Sequence, residues 1–239
     1  MKKNLALILA GGNGSRISHR ISHRLPKQFL ELGGKTILQH TIDKFEAHPA
    51  IDAIFLVMNP AYIPQTLPLV RDSGYQKMEK ILPGGATRQE SSRIGVFAAD
   101  PDVYENILIH DAARPFISRP LITRILETLV HYSAVNTATP STDTIFEIDA
   151  DHTIRRIPDR TSLRCAQTPQ SFKLPLIRQA HQLAIDHHLT DSSDDCTLIC
   201  RFNLSPVYVL DGDPSNMKIT YTSDLHAAEK ILETFIYER

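Results

Sequence analysis

No apolar run in the 239-residue chain approaches the roughly 20 residues that a membrane-spanning helix needs. The apolar stretch nearest the N-terminus, Leu5–Ala10, follows Lys2 and Lys3 but breaks at once at Gly11-Gly12-Asn13-Gly14, so a secretory signal does not fit. Charge of one sign is also missing: 26 Lys+Arg against 27 Asp+Glu leave a formal net charge of −1. That balance argues against a nucleic-acid coat or a binder of anionic membranes, both of which need a basic excess. Cysteine is scarce. Cys165, Cys196 and Cys200 are odd in number and too few for a disulfide framework. Cys196 and Cys200 share one helical face but lack the second ligand pair of a zinc site. They read as small buried thiols in a reducing compartment. What remains is ordinary for a globular protein: 42% hydrophobic and 22% charged residues, in a chain long enough to bury a core without staples. The expectation is a soluble cytoplasmic protein with no nucleic-acid or membrane partner.

Short apolar runs recur with amphipathic stretches between them. Leu5–Leu9, Ala53–Met58, Lys80–Leu82 and Asn106–Ile109 read as strands buried on both faces. Ile37–Ala47, Ile63–Asp72, Gln89–Ala98 and Pro120–His131 read as the helices between them. This alternation predicts an α/β fold: a Rossmann-like, doubly wound, mostly parallel sheet with right-handed crossovers. After Ala138 the rhythm breaks. Thr144–Ile148 and Thr153–Ile157, joined by the turn-rich Asp149-Ala150-Asp151-His152, predict a β-hairpin arm at about residues 143–160, inserted where a helix was due. Helices resume at Leu174–His187 and Asp194–Arg201. Val207–Leu210 is a strand, and Ser223 caps a closing helix to about Tyr237, with Asp224 in its first turn. No linker divides the chain, so residues 1–239 read as one domain with an arm. Ile17-Ser18-His19-Arg20 is repeated directly as Ile21-Ser22-His23-Arg24, a tandem duplication that lengthens one loop and is too short for a solenoid.

Chemistry concentrates after the first strand. Clustered glycines at a strand's carboxyl end let backbone N–H groups approach phosphate oxygens. A dehydrogenase fingerprint would need glycine near position 17, which is Ile17, and the Gly-Lys-Ser/Thr of a P-loop is absent. Positive charge comes later, at Arg16, Arg20, Arg24 and Lys27, with no acid between Ser15 and Phe29. Arg16 and Lys27 flanking a glycine loop suit a triphosphate whose leaving group is pyrophosphate. In isolation, a surface loop with solvated cations would look the same.

Leu9-Ala-Gly-Gly-Asn-Gly-Ser-Arg16 followed by Leu25-Pro-Lys-Gln-Phe29 resembles the signature of the small sugar-alcohol-phosphate cytidylyltransferases, which act on 2-C-methyl-D-erythritol 4-phosphate or ribitol 5-phosphate. The resemblance runs along nearly the whole chain. Gly84-Gly85-Ala86-Thr87-Arg88-Gln89-Glu90-Ser91 is similar to the family's base-binding turn, and His110-Asp111-Ala112-Ala113-Arg114-Pro115 to its central motif. Asp143-Thr144, Pro158-Asp159-Arg160 and Ala166–Phe172 resemble its acceptor-side segments. Ser193-Asp194-Asp195 and Asn216–Thr220 complete the ordered series.

The resemblance implies an acceptor phosphate attacking the α-phosphorus of CTP in line while pyrophosphate leaves, with catalysis by positioning and charge neutralisation. It casts Arg16 and Lys27 on the triphosphate and Lys218 on the α-phosphoryl group. Nucleotide binding falls to Ala10, Gly11, Gly12, Gly14, Gly84, Gly85, Ser91 and Ala112. Asp111, at the sheet edge where α/β folds place ligands, would orient the acceptor or hold Mg²⁺, a hard ion that suits carboxylate and phosphate oxygens. Otherwise Asp111 caps its turn and pairs with Arg114. His110 reads as a packed support, because an ionised phosphate nucleophile needs no general base. Arg88 reads as pairing with nearby acids instead of touching nucleotide. The acceptor polyol phosphate would meet Thr144, Arg160, Thr168 and Ser193. In the family such an arm crosses to a second subunit, implying a homodimer in which Arg160 completes the partner's site. The bland alternative for Arg160 is a salt bridge with Asp159 or Glu147.

Departures from the family pattern are the longer interval between Arg16 and Lys27 and Ile17 in place of the usual Met. The longer loop suggests a lid that orders over CTP. Some segments lean to the ribitol branch (Leu9–Gly12, Pro26–Leu32, Val135–Ile145) and others to the methylerythritol branch (Arg88–Ser91, His110–Pro115, Arg164–Gln167), which is narrowly preferred. Two rival readings remain. A nucleotide-sugar glycosyltransferase would use Asp149-Ala150-Asp151 or Asp211-Gly212-Asp213 as a metal motif, although both read better as turns. A non-catalytic nucleotide-binding scaffold would not need Arg16, Lys27, Asp111 and Lys218 together.

Overall fold

A computed structural model describes residues 2–12 and 26–237, with side chains as far as Thr234. Gly14, Arg16 and the Ile17–Arg24 repeat, and with it the expected lid, lie outside the described residues. In chain order the strands are β1 (Lys3–Ala10), β2 (Glu31–Leu32), β3 (Lys35–Thr36), β4 (Ala53–Met58), β5 (Met78–Pro83), β6 (Tyr104–Asp111), β7 (Ala134–Pro140), β8 (Glu147–Ile148), β9 (Ile154–Arg156), β10 (Arg164–Lys173) and β11 (Tyr208–Asp211). The helices are α1 (Ile37–Glu46), α2 (Ile63–Asp72), α3 (Arg88–Ala98), α4 (Arg119–Thr128), α5 (Leu174–Asp186), α6 (Asp195–Arg201) and α7 (Thr222–Tyr237). Among the described residues no helix is long and apolar enough to cross a membrane.

The central sheet runs β11-β7-β10-β6-β1-β4-β5. It is parallel except for β10, which is antiparallel to both β6 and β7. Period-two alternation sends Leu5, Leu7 and Leu9 of β1 to one face, against Phe55, Ile107, Val96 of α3 and Ile177 of α5. Ala6, Ile8 and Ala10 face the other side with Leu56, Leu108, and Leu38, Ile42 and Phe45 of α1. Each fully buried Leu, Ile or Phe contributes about 1.5–3 kcal/mol, so the uninterrupted LALIL and AIFLVM runs demand cover on both faces.

Register then sets the working edge. Leu9 pairs with Asp111 and Ala10 with Met58, so the carboxyl ends of β1, β6 and β4 finish side by side. The chain's far end returns to this edge because Ile219 donates its N–H to the Ala113 carbonyl (2.9 Å). A third apolar cluster of Leu32, Ile37, Phe116, Ile219 and Ala228 packs α7 against the β2–β3 hairpin.

Several expectations need correction. β7 and β10 are strands that hydrophobic pattern did not reveal. The arm exists, but its paired strands shrink to Glu147–Ile148 and Ile154–Arg156. The closing helix starts at Thr222, so Ser223 lies inside its first turn. Asp224 does the capping instead, its carboxylate accepting from the N–H groups of Thr220 (2.7 Å) and Tyr221 (2.8 Å). Of the three free thiols only Cys196 is buried; Cys165 and Cys200 are exposed.

The β2–β3 turn is two glycines, Gly33 and Gly34, at φ +57° and +83°. Two central residues in the left-handed region are what a tight type I′ hairpin requires. A Cβ on Gly33 would also lie 2.3 Å from Leu232 Cδ2 of α7, whereas one on Gly34 meets nothing within 4 Å. Gly34→Ala should therefore lose about 1 kcal/mol from backbone strain alone. Gly33→Ala should lose more, because Leu232 must also move. Urea unfolding of the two variants measures the difference.

Candidate active site

The carboxyl edge of the sheet opens into a cavity of about 380 Å³. Its walls include Ala10, Gly11, Gly12, Lys27, Gly85, Ser91, Asp111, Ala112 and Lys218, nine of the residues singled out from sequence. They come from the end of β1, the 3-10 turn Lys27–Phe29, the loop into α3, the end of β6 and the segment before α7.

The glycine loops are held from outside the backbone. Gln28, buried, donates through Nε2 to the carbonyls of Ala10 (2.9 Å) and Gly12 (3.3 Å), fixing the end of β1. Across the cavity, Thr87 N-caps α3 by accepting from the Glu90 N–H. The Gly84 N–H donates to the Met58 carbonyl (2.7 Å), which places Gly84 behind the wall instead of in it. Ser91 donates to the Thr87 carbonyl (2.9 Å) and accepts from the Gly85 N–H (3.1 Å). Its hydroxyl therefore also shapes the loop while lining the cavity. A Cβ on Gly11 would reach 3.0 Å from Ser91 Oγ, so the glycine lets the end of β1 and the first turn of α3 approach closely without displacing that hydroxyl.

Among the described residues, four cations line or back the cavity. Lys27 Nζ donates to the Ile219 carbonyl (2.8 Å). Lys218 Nζ donates to Asp111 Oδ2 (2.7 Å). Arg88 Nε lies 3.8 Å from Asp111 Oδ1, and Arg114 Nε 3.9 Å from Oδ2. Burial alone would push the Asp111 carboxyl up. The charges of Lys218, Arg88 and Arg114 outweigh it and hold the group at about 2, so the carboxylate stays ionised.

A chain of buried polar groups supports Asp111. The His110 ring is fully buried, and burial pushes it down to about 4, leaving it neutral. Its Nε2 faces the Arg114 carbonyl (3.0 Å), which can only accept, so Nε2 carries the proton and Nδ1 accepts from the Thr168 hydroxyl (3.1 Å). Thr168 Oγ1 in turn accepts from the Asp111 N–H (3.0 Å). Asn216 donates to the Thr168 carbonyl (2.8 Å) and accepts from Arg114 through its own carbonyl (2.8 Å). His110 is thus the packed support expected. Thr168, expected to touch the acceptor, is buried beside the cavity with its hydroxyl between the Asp111 N–H and His110.

Other expectations fall differently. Thr144, Arg160 and Ser193 are exposed and do not line this cavity. Arg160 donates to the Thr142 carbonyl (3.3 Å). The salt bridges weighed for it do not form: Glu147 pairs with Arg156, and Asp159 accepts from the Thr161 N–H. Both Asp-x-Asp stretches form turns. Asp151 Oδ1 accepts from Thr153 at the hairpin tip, and Asp213 Oδ1 accepts from Ser215, both local turns. Arg88 does pair with acids, donating to Asp195 Oδ2 (2.8 Å), yet it also lines the cavity, as do Gln28, Thr87 and Thr220. Sequence reading gave Arg88 to its acids alone and did not single out Gln28, Thr87 or Thr220. The signal for Arg88 and Thr87 was their place at a helix N-terminus facing a glycine loop.

Cations around a glycine-lined cavity, with one ionised carboxylate among them, can hold and neutralise a polyphosphate. Comparison with known proteins agrees with that chemistry. The family described as 2-C-methyl-D-erythritol 4-phosphate cytidylyltransferase (IspD) matches residues 5–234. A 2-C-methyl-D-erythritol 4-phosphate cytidylyltransferase of Thermobifida fusca is 39% identical over 235 residues, 96% of this chain and 93% of that protein. A ribitol-5-phosphate cytidylyltransferase of Vibrio parahaemolyticus is 34% identical, covering 97% of this chain and 96% of its own. The crystal structure of 4-diphosphocytidyl-2C-methyl-D-erythritol synthase from Anaerococcus prevotii superposes with a TM-score of 0.85 at 30% identity, over 97% of this chain and 96% of that one. A fold, a cavity and a near full-length match lead to one conclusion: the chain belongs to the 2-C-methyl-D-erythritol 4-phosphate cytidylyltransferase family.

Proposed function

We propose that the chain transfers CMP from CTP to 2-C-methyl-D-erythritol 4-phosphate, releasing pyrophosphate. One observation carries this reading: Lys27 from the start of the chain and Lys218 from its end line the same cavity, with the Asp111 carboxylate beside Lys218. An oxygen of the acceptor phosphate attacks the α-phosphorus, and the bond to the β-phosphate oxygen breaks as pyrophosphate leaves. No covalent enzyme intermediate forms, so the barrier falls by alignment and by neutralising charge that builds on the phosphates.

Lys27, with Arg16, holds the triphosphate and absorbs charge on the leaving pyrophosphate. Lys218 neutralises the α-phosphoryl group. Ala10, Gly11 and Gly85 present backbone groups to cytosine in a space too tight for a purine, with Gly84 shaping the wall behind them. Gly12, Gly14 and Ala112 approach the sugar and phosphates. The acceptor meets Asp111 and Thr144, with Ser193 on the loop entering α6 and Thr168 acting through Asp111. Arg160 reaches the site of a partner subunit in a homodimer. The hairpin's exposed Ile145, Phe146, Ile148, Ile154 and Ile157 supply the apolar surface for that pairing. The location is cytoplasmic.

A divalent cation such as Mg²⁺ fits the donor set only with help from substrate. Asp111 is the one carboxylate lining the cavity among the described residues, and no cluster of three metal-binding side chains occurs there. Phosphate and water oxygens would complete the shell, the arrangement Mg²⁺ favours. When bound, the ion would neutralise phosphate charge.

The test is pyrophosphate release with CTP and Mg²⁺, supplying each polyol phosphate separately. Methylerythritol phosphate should be turned over. Turnover of ribitol 5-phosphate alone would establish the second reading, which the Vibrio parahaemolyticus relative favours. Lys27→Ala or Lys218→Ala should lower kcat by about 100-fold or more.

Asp111 also links the site to acid stability. Its folded pKa of about 2 lies below its ordinary 3.8, so its stabilisation is present above about pH 4 and is lost as pH falls towards 2. Asp111→Asn should remove about 2 kcal/mol at neutral pH and flatten the stability curve between pH 4 and 2. Chemical denaturation across that range checks both.

A further inference from the structure

Behind the cavity wall, the first turns of α3 and α6 meet at a carboxylate that the reaction itself does not use. Asp195 is 1% exposed and opens α6. Its N–H donates to Gln170 Oε1 of β10 (2.8 Å), which fixes its backbone. Oδ1 accepts from the Ser92 hydroxyl (2.5 Å) and lies 3.3 Å from His181 Nε2. Oδ2 accepts from Arg88 Nη1 (2.8 Å). Two other elements, α3 and α5, therefore hold this carboxylate, and a third, β10, holds its backbone.

Arg88 is the link outward. Its side chain lines the cavity, and its Nε stands 3.8 Å from Asp111 Oδ1. A guanidinium is a rigid plane of five N–H donors, so fixing Nη1 on Asp195 fixes where the others point. The 3.8 Å gap is too long for a hydrogen bond, yet short enough for Arg88 to help keep Asp111 ionised. Without Asp195, the carboxylate nearest to Arg88 is Asp111 itself. A shift of about an ångström would close the contact and occupy Oδ1, the oxygen that Lys218 leaves open. It would also turn the guanidinium away from the cavity.

We propose that Asp195 is a positioning residue for the transfer site: it anchors Arg88 as a fixed cation facing the nucleotide phosphates while keeping it off the Asp111 carboxylate. Ser92 and His181 serve by holding the second oxygen of Asp195. This inference rests on the cytidylyltransferase reading above.

A double-mutant cycle tests it. The full-length chain is compared with Asp195→Asn, Arg88→Ala and the double variant, using CTP and the acceptor that the parent turns over. Asp195→Asn is expected to lower kcat/KM for CTP by about tenfold or more, and Arg88→Ala by a similar factor. The double variant should fall no further than the weaker single, within about threefold, because both changes remove one function. A purely structural Asp195 would lower the melting temperature and depress activity whatever stands at residue 88. Losses that multiply, or an Asp195→Asn variant with parental turnover, would overturn the proposal. Should Asp195→Asn fail to fold, Ser92→Ala replaces it, with a smaller loss expected beside Arg88 and none in the Arg88→Ala background. If the parent releases no pyrophosphate with either polyol phosphate, the functional reading has failed. The same cycle read as CTP dissociation constants by calorimetry then decides the positioning role separately.

Discussion

Like charges drawn into one cavity repel, and the site depends on how a single carboxylate prevents this. Asp111 ends β6 with Lys218 on one oxygen, Arg88 near the other and Arg114 behind. These cations arrive from a helix N-terminus, from the turn after β6 and from just before the last helix. Their convergence follows from the parallel register that aligns Leu9 with Asp111, and from the Ile219–Ala113 hydrogen bond that folds the far end of the chain back. A buried carboxylate with no partner would be strongly destabilising, and so would the cations without it. The pairing holds the positive charge of the cavity in place. An incoming triphosphate meets groups already positioned and needs little rearrangement, which is where electrostatic catalysis gains most.

Much of this was legible in residues. β1, β4 and β6 are apolar runs and are largely buried, as their sequences predict, whereas β5, expected to be buried on both faces, is an edge strand whose residues are half-buried or exposed. α1, α2 and α3 carry amphipathic spacing and emerge within a residue or so of their expected bounds. β7 and β10 stayed hidden for a physical reason. β10 buries Gln167, Thr168, Gln170 and Ser171, polar side chains that earn no hydrophobic signal. They are tolerated because most find partners within the site: Thr168 on Asp111 and His110, Gln170 on the first turn of α6, Gln167 on the Asp213 carbonyl. The strand that looks least like a core strand is the one that wires the cavity together.

The site shows the same division. Glycines, Lys27, Asp111 and Lys218 announce themselves by motif and by position at strand ends. Arg88 was seen but assigned to its acids alone, because spacing cannot tell that one guanidinium serves a carboxylate on one side and a cavity on the other. Thr168 was read as a ligand contact because sequence shows a hydroxyl but not its hydrogen-bond partners. The described cavity is lined by residues given to the nucleotide and its phosphates, such as Gly11, Gly85, Lys27 and Lys218. Thr144, Arg160 and Ser193, the residues given to the acceptor, sit outside it on exposed segments.

The margins of the central sheet complete the picture. β5 bounds one side and carries Glu79, Lys80 and Pro83, residues that discourage another strand from adding there. β11 bounds the other side and offers only four residues before the Asp211-Gly212-Asp213 turn. Short or charged borders of this kind resist runaway strand-on-strand polymerisation. The molecule can thus display a greasy hairpin arm without its main sheet becoming a template for fibres.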